Sequence, residues 1–285
     1  MKKRTWKTNL FIAGMLTPAL LMSLGIVLIP ILNSVYRSFR SDDDTRFTLE
    51  HYKFLLTDSQ SLDHIWYTFW ITIVTVVLAI LISYLLALYL RFTNTRISKF
   101  ISTIYLLPRF VPSLVAIYAM MSVVSDTGFL NRIILLIFGA NFKPGLLYNA
   151  SGIIMMNLWF NIAFATMIIT AALTNIPYSI IESARDVGAS KINVFFTMIL
   201  PLSFKDVMIA MTFIFMSNIS SFTTPYIIGP NHPLMLGVYL RKVFARMYYN
   251  QAAALSVIIF LFSCISAVVY LYTNLKEKEW EKTGL

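Results

Sequence analysis

Six long apolar runs, separated by shorter polar segments, dominate the pattern of hydrophobic and polar positions along the chain. Each run reaches the ~20 residues that a helix needs to cross a hydrocarbon core of ~30 Å. None alternates apolar and polar residues as a barrel strand would, and a helix satisfies its backbone hydrogen bonds within one segment. We therefore predict an all-α integral membrane protein with six transmembrane helices, at 10–32, 65–90, 100–124, 153–174, 207–228 and 252–272.

Two other segments interrupt this pattern. Residues 129–138 are apolar but too short to cross a bilayer, so we interpret them as a helix lying along the outer membrane face. Residues 175–206 are more polar and contain two amphipathic stretches separated by Gly188, which suits the position just past a helix end. Ser190 can cap a second helix, which we expect Pro201 to stop.

The first amphipathic stretch of this insert predicts a helix with one buried face. Its apolar residues recur at spacings of three and four, while its charged residues face elsewhere. The residues of the expected buried face are Ile180, Ile181, Ala184 and Val187. The alternative interpretation is a hairpin that only connects two spans.

The composition supports a membrane protein and changes how the net charge is interpreted. Of the 285 residues, 58% are hydrophobic and 13% are charged, which is more apolar surface than a soluble domain of this length can bury. The net charge of +10 comes from short basic clusters beside the apolar runs, and these suit anionic lipid headgroups better than nucleic acid. The one cysteine, Cys264, lies in an apolar run and is expected to pack there.

The basic residues also predict the orientation. With the N-terminus inside, 13 Lys and Arg residues fall in cytoplasmic segments and nine in outer segments, and four of the 13 precede the first span. Cytoplasmic segments carry the excess of positive charge in multi-pass proteins. We predict that both termini and the insert 175–206 are cytoplasmic. The first apolar run is too long for a signal peptide, so we interpret it as an uncleaved span.

The insert carries a family resemblance. Its sequence "ESARDVGASKINVFFTMILP", 182–201, resembles the cytoplasmic loop of the permeases of binding-protein-dependent ATP-binding cassette (ABC) importers, whose pattern is Glu-Ala-Ala, three residues, Gly and a later Pro. Ser183 replaces the second-position Ala of that pattern. The matching residues are Glu182, Ala184, Asp186, Gly188, Ala189, Phe196 and Pro201. The segments "FTLEHYKFLL", "GFLNRIILLIFG" and "SFTTPYIIG" also look like features of this family.

The resemblance implies a fold, a role and partners. It implies the type I ABC importer permease fold, one permease domain over 1–285, and a place in the inner (cytoplasmic) membrane of a bacterial cell. The partners would be a second permease of a homologous but different chain, two ATPases and an extracytoplasmic solute-binding protein. This chain would bind no cofactor, since ATP and Mg²⁺ would belong to the ATPases. It would be a non-catalytic subunit whose solute is of the polyamine, phosphonate or ferric type, with a sugar or oligosaccharide as the alternative.

The same resemblance makes the insert a coupling helix that sits in a groove of an ATPase. The residues expected to couple this chain to the ATPase are Glu182, Ser183, Ala184, Asp186, Gly188, Ala189 and Pro201. The translocation pathway would run between spans four, five and six of two permeases. Polar residues within spans are the candidates for lining it: Asn157, Asn161, Ser217, Asn218, Ser221 and Thr224. Of these, Ser217, Ser221 and Thr224 are expected to share a helix face. The alternative is that these side chains hold helices together.

Arg109, about ten residues into the third span, is the other candidate. A charge at that depth, ~13–15 Å at 1.5 Å per residue, needs a partner. That partner could be a residue of another subunit, a free carbonyl near Pro108 or Pro112, water, or an anionic substrate. A shifted span boundary or a side chain that reaches the interface would also explain it.

Two other function classes fit the sequence less well. The chain has no Gly-x-x-x-x-Gly-Lys-[Ser/Thr] phosphate loop, so it cannot hydrolyse ATP alone. An intramembrane enzyme would need paired carboxylates, a His cluster or an activated Ser at membrane depth, and the sequence shows none. A self-sufficient channel or secondary carrier would more often have an intramembrane carboxylate or internal repeats, and the sequence shows neither.

Overall fold

The computed structural model describes residues 6–43 and 46–283, with the side chains of 10–43, 46–268 and 270–272. These residues are helical apart from turns, irregular segments such as 140–146, and one isolated antiparallel bridge between Arg40 and Phe47. The helices are α1 Trp6–Ser23, α2 Ile29–Ser38, α3 Glu50–Thr57, α4 Ser59–Phe92, α5 Arg96–Ile104, α6 Ser113–Val124, α7 Phe129–Phe138, α8 Ala150–Thr174, α9 Tyr178–Asp186, α10 Lys191–Val194, α11 Leu200–Ile219, α12 Thr223–Ile228, α13 Leu236–Ala245 and α14 Tyr249–Thr283.

The prediction of six spanning helices is confirmed. Among the described residues, six helical segments are long and apolar enough to cross a membrane. They are Leu10–Ser38, Ser59–Phe92, Ser113–Phe138, Ala150–Thr174, Lys191–Ile219 and Tyr249–Tyr272. The orientation stays a prediction, and three of the charges that support it, Lys2, Lys3 and Arg4, lie outside the described residues.

The third span is not the continuous helix predicted for 100–124. Helix α5 ends at Ile104, a 3₁₀ turn follows at Leu107–Arg109, and α6 begins only at Ser113. Pro108 and Pro112 explain the interruption, because proline lacks the N–H that an uninterrupted helix would use and its ring clashes with the preceding turn.

The packing of α6 nevertheless keeps it in the crossing. Ala116 and Ile117 of α6 belong to one buried cluster with Ile153 and Met156, near the start of α8. Apolar composition alone extends the third candidate span over α7 to Phe138. Because the 3₁₀ turn before α6 contacts α8, and α6 packs against α12 in the same buried cluster as the start of α8, we assign the crossing to α5, the turn and α6. Residues 129–138 do form a separate helix, α7, as predicted.

The fifth span also differs from the predicted 207–228. Helix α11 starts earlier, at Leu200, and ends at Ile219. After a turn in which the Ser221 N–H donates to the Asn218 carbonyl over 3.0 Å, the short helix α12 covers Thr223–Ile228. A continuous apolar pattern does not distinguish one long helix from two consecutive ones.

The larger of two compact units, Ser59–Tyr239 with Ile259–Leu285, is built on helices α4, α8 and α11. Small residues on α4 and α8, including Ala79 and Ala165 at 0% exposure, let the two backbones approach closely, as expected for helices in lipid. Polar contacts join the same helices: the Ser83 hydroxyl donates to the Ile162 carbonyl at 3.1 Å.

The second unit consists of Met1–Asp58 and Leu240–Ile258. Within it, the Asn250 side-chain amide donates to the Ser41 carbonyl at 2.8 Å. In its first span, Leu10–Ser38, none of residues 10–37 is buried, and only Ser38 at its end is.

The close approach of α4 and α8 yields a stability prediction. Ala165→Leu should destabilise the purified chain by about 1–3 kcal/mol, because the larger side chain must displace a packed neighbouring helix. Thermal unfolding in detergent measures the loss. Ala171→Leu is the matched control, since Ala171 is exposed on the same helix. Equal destabilisation by both variants would contradict the close packing at Ala165.

Candidate functional site

The polar insert between α8 and α11 is a defined structure with two short helices, α9 and α10. The α9 helix ends in a Schellman motif, a hydrogen-bonded turn that closes a helix with a left-handed residue. The Gly188 N–H donates to the Arg185 carbonyl at 2.8 Å, and the Ala189 N–H donates to the Ala184 carbonyl at 3.0 Å. Gly188 has φ +88°, a conformation that L side chains rarely adopt. The predicted role of Gly188 as the residue past a helix end is confirmed.

The second half of the insert begins as predicted but ends differently. The Ser190 hydroxyl accepts a hydrogen bond from the Asn193 N–H at 3.2 Å and caps α10. The expectation that Pro201 stops this helix is wrong. The chain continues through a wider π-helical turn at Phe195–Ile199 directly into α11, whose second residue is Pro201. Proline is tolerated near a helix start. The π turn lies just before Pro201, where a regular α-helix would need the N–H that proline lacks.

Only part of the predicted apolar face of α9 is buried. Ile181 and Ala184 are 5% and 7% exposed and pack in the same core cluster as residues of α4, α8 and α11. Ile180 and Val187 are exposed, Val187 at 85%. Helical spacing does not predict which way Val187 faces, because Val187 is the C-cap of α9 and lies beyond its last regular turn.

The seven predicted coupling residues therefore fall into two groups. Ala184 is buried and Ala189 packs against the core cluster, so both hold the insert in place. The exposed members are Glu182, Ser183, Asp186, Gly188 and Pro201. Exposed apolar side chains lie among them in sequence, with Ile192 at 72% and Phe196 at 60%.

A clamp between Arg91, at the end of α4, and Tyr178, at the start of α9, fixes the entry to the insert. The Arg91 guanidinium donates to the Ile176 carbonyl at 3.1 Å, and its central carbon lies 4.1 Å from the centre of the Tyr178 ring. The Tyr178 hydroxyl donates in return to the Arg91 carbonyl at 3.0 Å. No local sequence pattern identifies this pair, because Arg91 and Tyr178 are 87 residues apart.

The two asparagines of the fourth span share one face of α8. Asn157 is 5% exposed, and its Nδ2 has no hydrogen-bond partner among the described residues. Asn161 is partly buried one turn further on, and Phe164 continues the same face. A buried amide nitrogen without a partner is uncommon, because leaving it unpaired costs about 1–3 kcal/mol.

The candidates of the fifth span are divided by the helix break. Asn218 is 2% exposed and donates to the Ile214 carbonyl at 2.7 Å, so it stabilises its own helix. Ser217 is exposed and donates to the same carbonyl at 3.0 Å. The predicted shared face of Ser217, Ser221 and Thr224 is wrong, because Ser221 lies in the turn and Thr224 lies on α12.

Arg109 lies at the end of the 3₁₀ turn that interrupts the third span, and it is exposed. Its guanidinium carbon is 5.3 Å from the centre of the Phe164 ring on α8, within the range of a cation–π contact. Phe164 contacts Phe213 of α11, and Phe213 contacts Tyr270 of α14, each with ring centres 6.1 Å apart. We call Phe164, Phe213 and Tyr270 the aromatic row.

Comparison with known proteins gives one family match. Residues 79–280, more than half of the chain, match the family described as binding-protein-dependent transport system inner membrane component. The spermidine/putrescine transport system permease protein PotB of Escherichia coli (strain K12) is 21% identical over 250 residues, 86% of this chain and 90% of PotB. The sulfoquinovosyl glycerol transport system permease protein SmoG of Agrobacterium fabrum is 26% identical over 281 residues, 90% of this chain and 88% of SmoG.

The fold also matches a solved structure. The bacterial alginate ABC transporter, solved in complex with an alginate pentasaccharide-bound periplasmic protein, contains a chain with a TM-score of 0.79 and 18% identity. The match covers 99% of this chain and 100% of that chain. At this identity the likeness shows the fold alone.

The clamp yields a prediction about local stability. Tyr178→Phe removes the hydroxyl that bonds the Arg91 carbonyl, so the backbone amides of α9 should exchange with solvent about 3–10-fold faster. Hydrogen–deuterium exchange of the purified chain measures this rate. Tyr89→Phe is the control, because its hydroxyl contacts only Thr95 at 3.3 Å, outside the insert. An unchanged α9 rate in Tyr178→Phe, or an equal increase in both variants, would contradict the clamp.

Proposed function

Because the chain belongs to the family of binding-protein-dependent transport system inner membrane components, we propose that it forms half of the translocation pathway of an ABC importer. The chain is the membrane-spanning permease component of such a transporter, and the match to an importer permease confirms the fold that the sequence implied. In the proposal, a second permease of a homologous but different chain supplies the other half of the pathway. A solute-binding protein delivers a small polar solute at the outer face.

The observation that carries the proposal is the exposed surface of the insert. We call the side chains of Glu182, Asp186, Val187, Ile192 and Phe196 the coupling surface. It combines two carboxylates with three apolar side chains that are 60–85% exposed. Exposed apolar residues next to charged ones are typical of a protein interface. We propose that an ATPase subunit covers this surface.

The way in which the insert is held suits the transmission of movement. Ile181 and Ala184 anchor α9 in the core cluster, and the clamp ties the start of α9 to the end of α4. A segment fixed at several points moves as a body when a partner pushes it, and rigid-body movement is a common route for coupling distant sites. When two ATPases close on ATP, their movement would thus be transmitted to the second, fourth and fifth spans.

In this proposal ATP and Mg²⁺ bind only to the partner ATPases. The sequence contains no phosphate-binding loop for them. The described residues contain no group of three His, Cys, Asp or Glu side chains placed to hold a metal ion.

The class of solute is the open part of the proposal. PotB is named for spermidine and putrescine, whereas SmoG is named for sulfoquinovosyl glycerol. These relatives fit both substrate classes suggested by the sequence, the polyamine, phosphonate or ferric type and the sugar type. A self-sufficient channel or carrier remains the rival function, and uptake that persists without any ATPase would favour it.

Cysteine cross-linking tests the coupling surface. In a Cys264→Ser background, Val187→Cys should cross-link to an ATPase lysine through a short thiol–amine reagent in the assembled importer. Leu136→Cys, on α7, is the matched control, since the two native side chains are 85% and 87% exposed. It should give no ATPase product and should react with a membrane-impermeant thiol reagent in intact cells, whereas Val187→Cys should not. The reverse labelling, or cross-linking at both positions, would contradict the proposal.

The backbone of Gly188 gives a second prediction. A Cβ at Gly188 would meet no atom within 4 Å, so Gly188→Ala is strained only through φ +88°, by about 1–2 kcal/mol. We expect lower ATP-dependent uptake for Gly188→Ala, and a smaller loss for Gly188→Asn because Asn tolerates left-handed conformations better. Gly14→Ala is the control, because Gly14 also has open space but an ordinary helical φ. Full uptake by Gly188→Ala at equal membrane levels would show that this turn is not needed for coupling.

A further inference from the structure

Arg109, the exposed cation of the third span, lies beside the middle of the fourth span. Phe164, which Arg109 contacts, is about ten residues, or roughly 15 Å of helix, from the end of α8 at Thr174. This contact fixes the depth of Arg109 without reference to the apolar pattern of the third span. A shifted span boundary therefore does not explain Arg109.

The described part of the chain gives this cation no counter-ion. No carboxylate there forms an ion pair with Arg109, and its side chain makes no hydrogen bond there. The guanidinium instead lies over the face of the Phe164 ring. A guanidinium has five N–H donors directed along its edges, and a ring face satisfies none of them. A charge at membrane depth with unsatisfied donors is expensive, and in membrane proteins it usually indicates a substrate or ion pathway.

The helix face beside Arg109 carries amide side chains. Asn157, Asn161 and Phe164 follow one another at spacings of four and three on one face of α8, so the contact with Phe164 places Arg109 at the end of an amide-bearing stripe. The Asn157 Nδ2 is buried without a partner among the described residues. Amide and guanidinium N–H groups both donate hydrogen bonds, so the partly exposed Asn161 and the exposed Arg109 offer donors to a ligand oxygen, whereas the Asn157 amide is enclosed in the single chain.

The aromatic row connects this stripe to the other spans of the proposed pathway. Phe164 leads to Phe213, which is 48% exposed, and then to Tyr270 on the last span. Arg109 thus borders a surface made by the fourth, fifth and sixth spans. The side chain is exposed in the single chain, so a solute in the pathway can reach it.

We propose that Arg109, with Asn161 about one helical turn from Phe164, forms an anion-selective subsite in the pathway, and that the transported solute carries a carboxylate, sulfonate, phosphate or phosphonate group. The guanidinium fork matches two oxygens of such a group, and the Phe164 ring limits its movement. The proposal rests on the proposed function, because it requires this surface to line a pathway.

The same geometry disfavours a polyamine. Two like charges at contact distance repel each other, and the repulsion is stronger where the dielectric constant is lower than that of water. A solute with several ammonium groups would meet this repulsion beside Arg109, with no carboxylate on the described chain to offset it. Among the relatives, the glycerol conjugate named for SmoG bears a sulfonate, and alginate is described as an acidic polysaccharide. The subsite favours solutes of that charge over those named for PotB.

Uptake by the complete importer, reconstituted with its partners and binding protein in proteoliposomes, tests the subsite. The anionic probes are a uronate trisaccharide, a sulfonated sugar glycoside and an alkyl phosphonate, which distinguish the possible acid groups. Maltotriose is the neutral probe and spermidine the cationic one. We expect ATP-dependent uptake of at least one anionic probe, and its loss by about tenfold or more in Arg109→Gln, as for a missing charge-assisted hydrogen bond.

Two further variants make the outcome decisive. Arg109→Lys keeps the charge but not the fork, and should lose less uptake than Arg109→Gln. Arg132→Gln, the same change at an exposed position of α7, should leave uptake unchanged. Should Arg109→Gln fail to assemble, Arg109→Lys supports the subsite if its KM for the anionic probe rises. It overturns the subsite if its KM is unchanged, since Arg109 would then pair with another subunit.

Failure of the subsite and failure of the proposed function give different results. Uptake of spermidine or maltotriose alone, or anion uptake that is unchanged in Arg109→Gln, would overturn the subsite while ATP dependence and the Val187→Cys cross-link persist. Absence of ATP dependence in the wild-type assembly, together with absence of the ATPase cross-link in the Val187→Cys assembly, would instead overturn the proposed function.

Discussion

The burial of Ile181 and Ala184 in the core of the helix bundle is the constraint on which the proposed function depends. These two side chains make α9 part of the same packed cluster as α4, α8 and α11, so the insert cannot move independently of the bundle. The Schellman turn at Gly188 and the clamp at Arg91 fix the two ends of α9. A polar loop without these contacts would bend when pushed, and it would pass little movement to the spans.

The sequence predicted the parts of the fold that depend on local rules. Six apolar runs became six helical segments, Gly188 adopted the left-handed conformation that only glycine adopts easily, and Ser190 capped a helix. Local patterns did not predict where helices break or continue. The apolar runs continue across the interruptions at 105–112 and 220–222, and the π turn before Pro201 kept a helix intact where proline alone suggested an end.

The candidate site shows the same division. The exposed position of Glu182 and Asp186 follows from helical spacing, whereas the clamp joins Arg91 and Tyr178 across 87 residues and leaves no local signal. The sequence alone showed that Arg109 is a charged residue within an apolar span, but only the structure identifies its neighbour. That neighbour is the ring of Phe164, which leaves the N–H donors on the edges of the guanidinium open. These open donors are the physical reason for proposing an anionic solute.

The central claim is that a foreign ATPase covers the insert, and a structure of the purified importer tests it most directly. The measurement is the solvent-exposed fraction of Val187 and Phe196 in the assembled complex, compared with 85% and 60% in the single chain. The account predicts that both side chains become buried against an ATPase subunit, with the contacts within α9 unchanged. An insert that remains open to solvent, or that lies on the face where the binding protein docks, would contradict it.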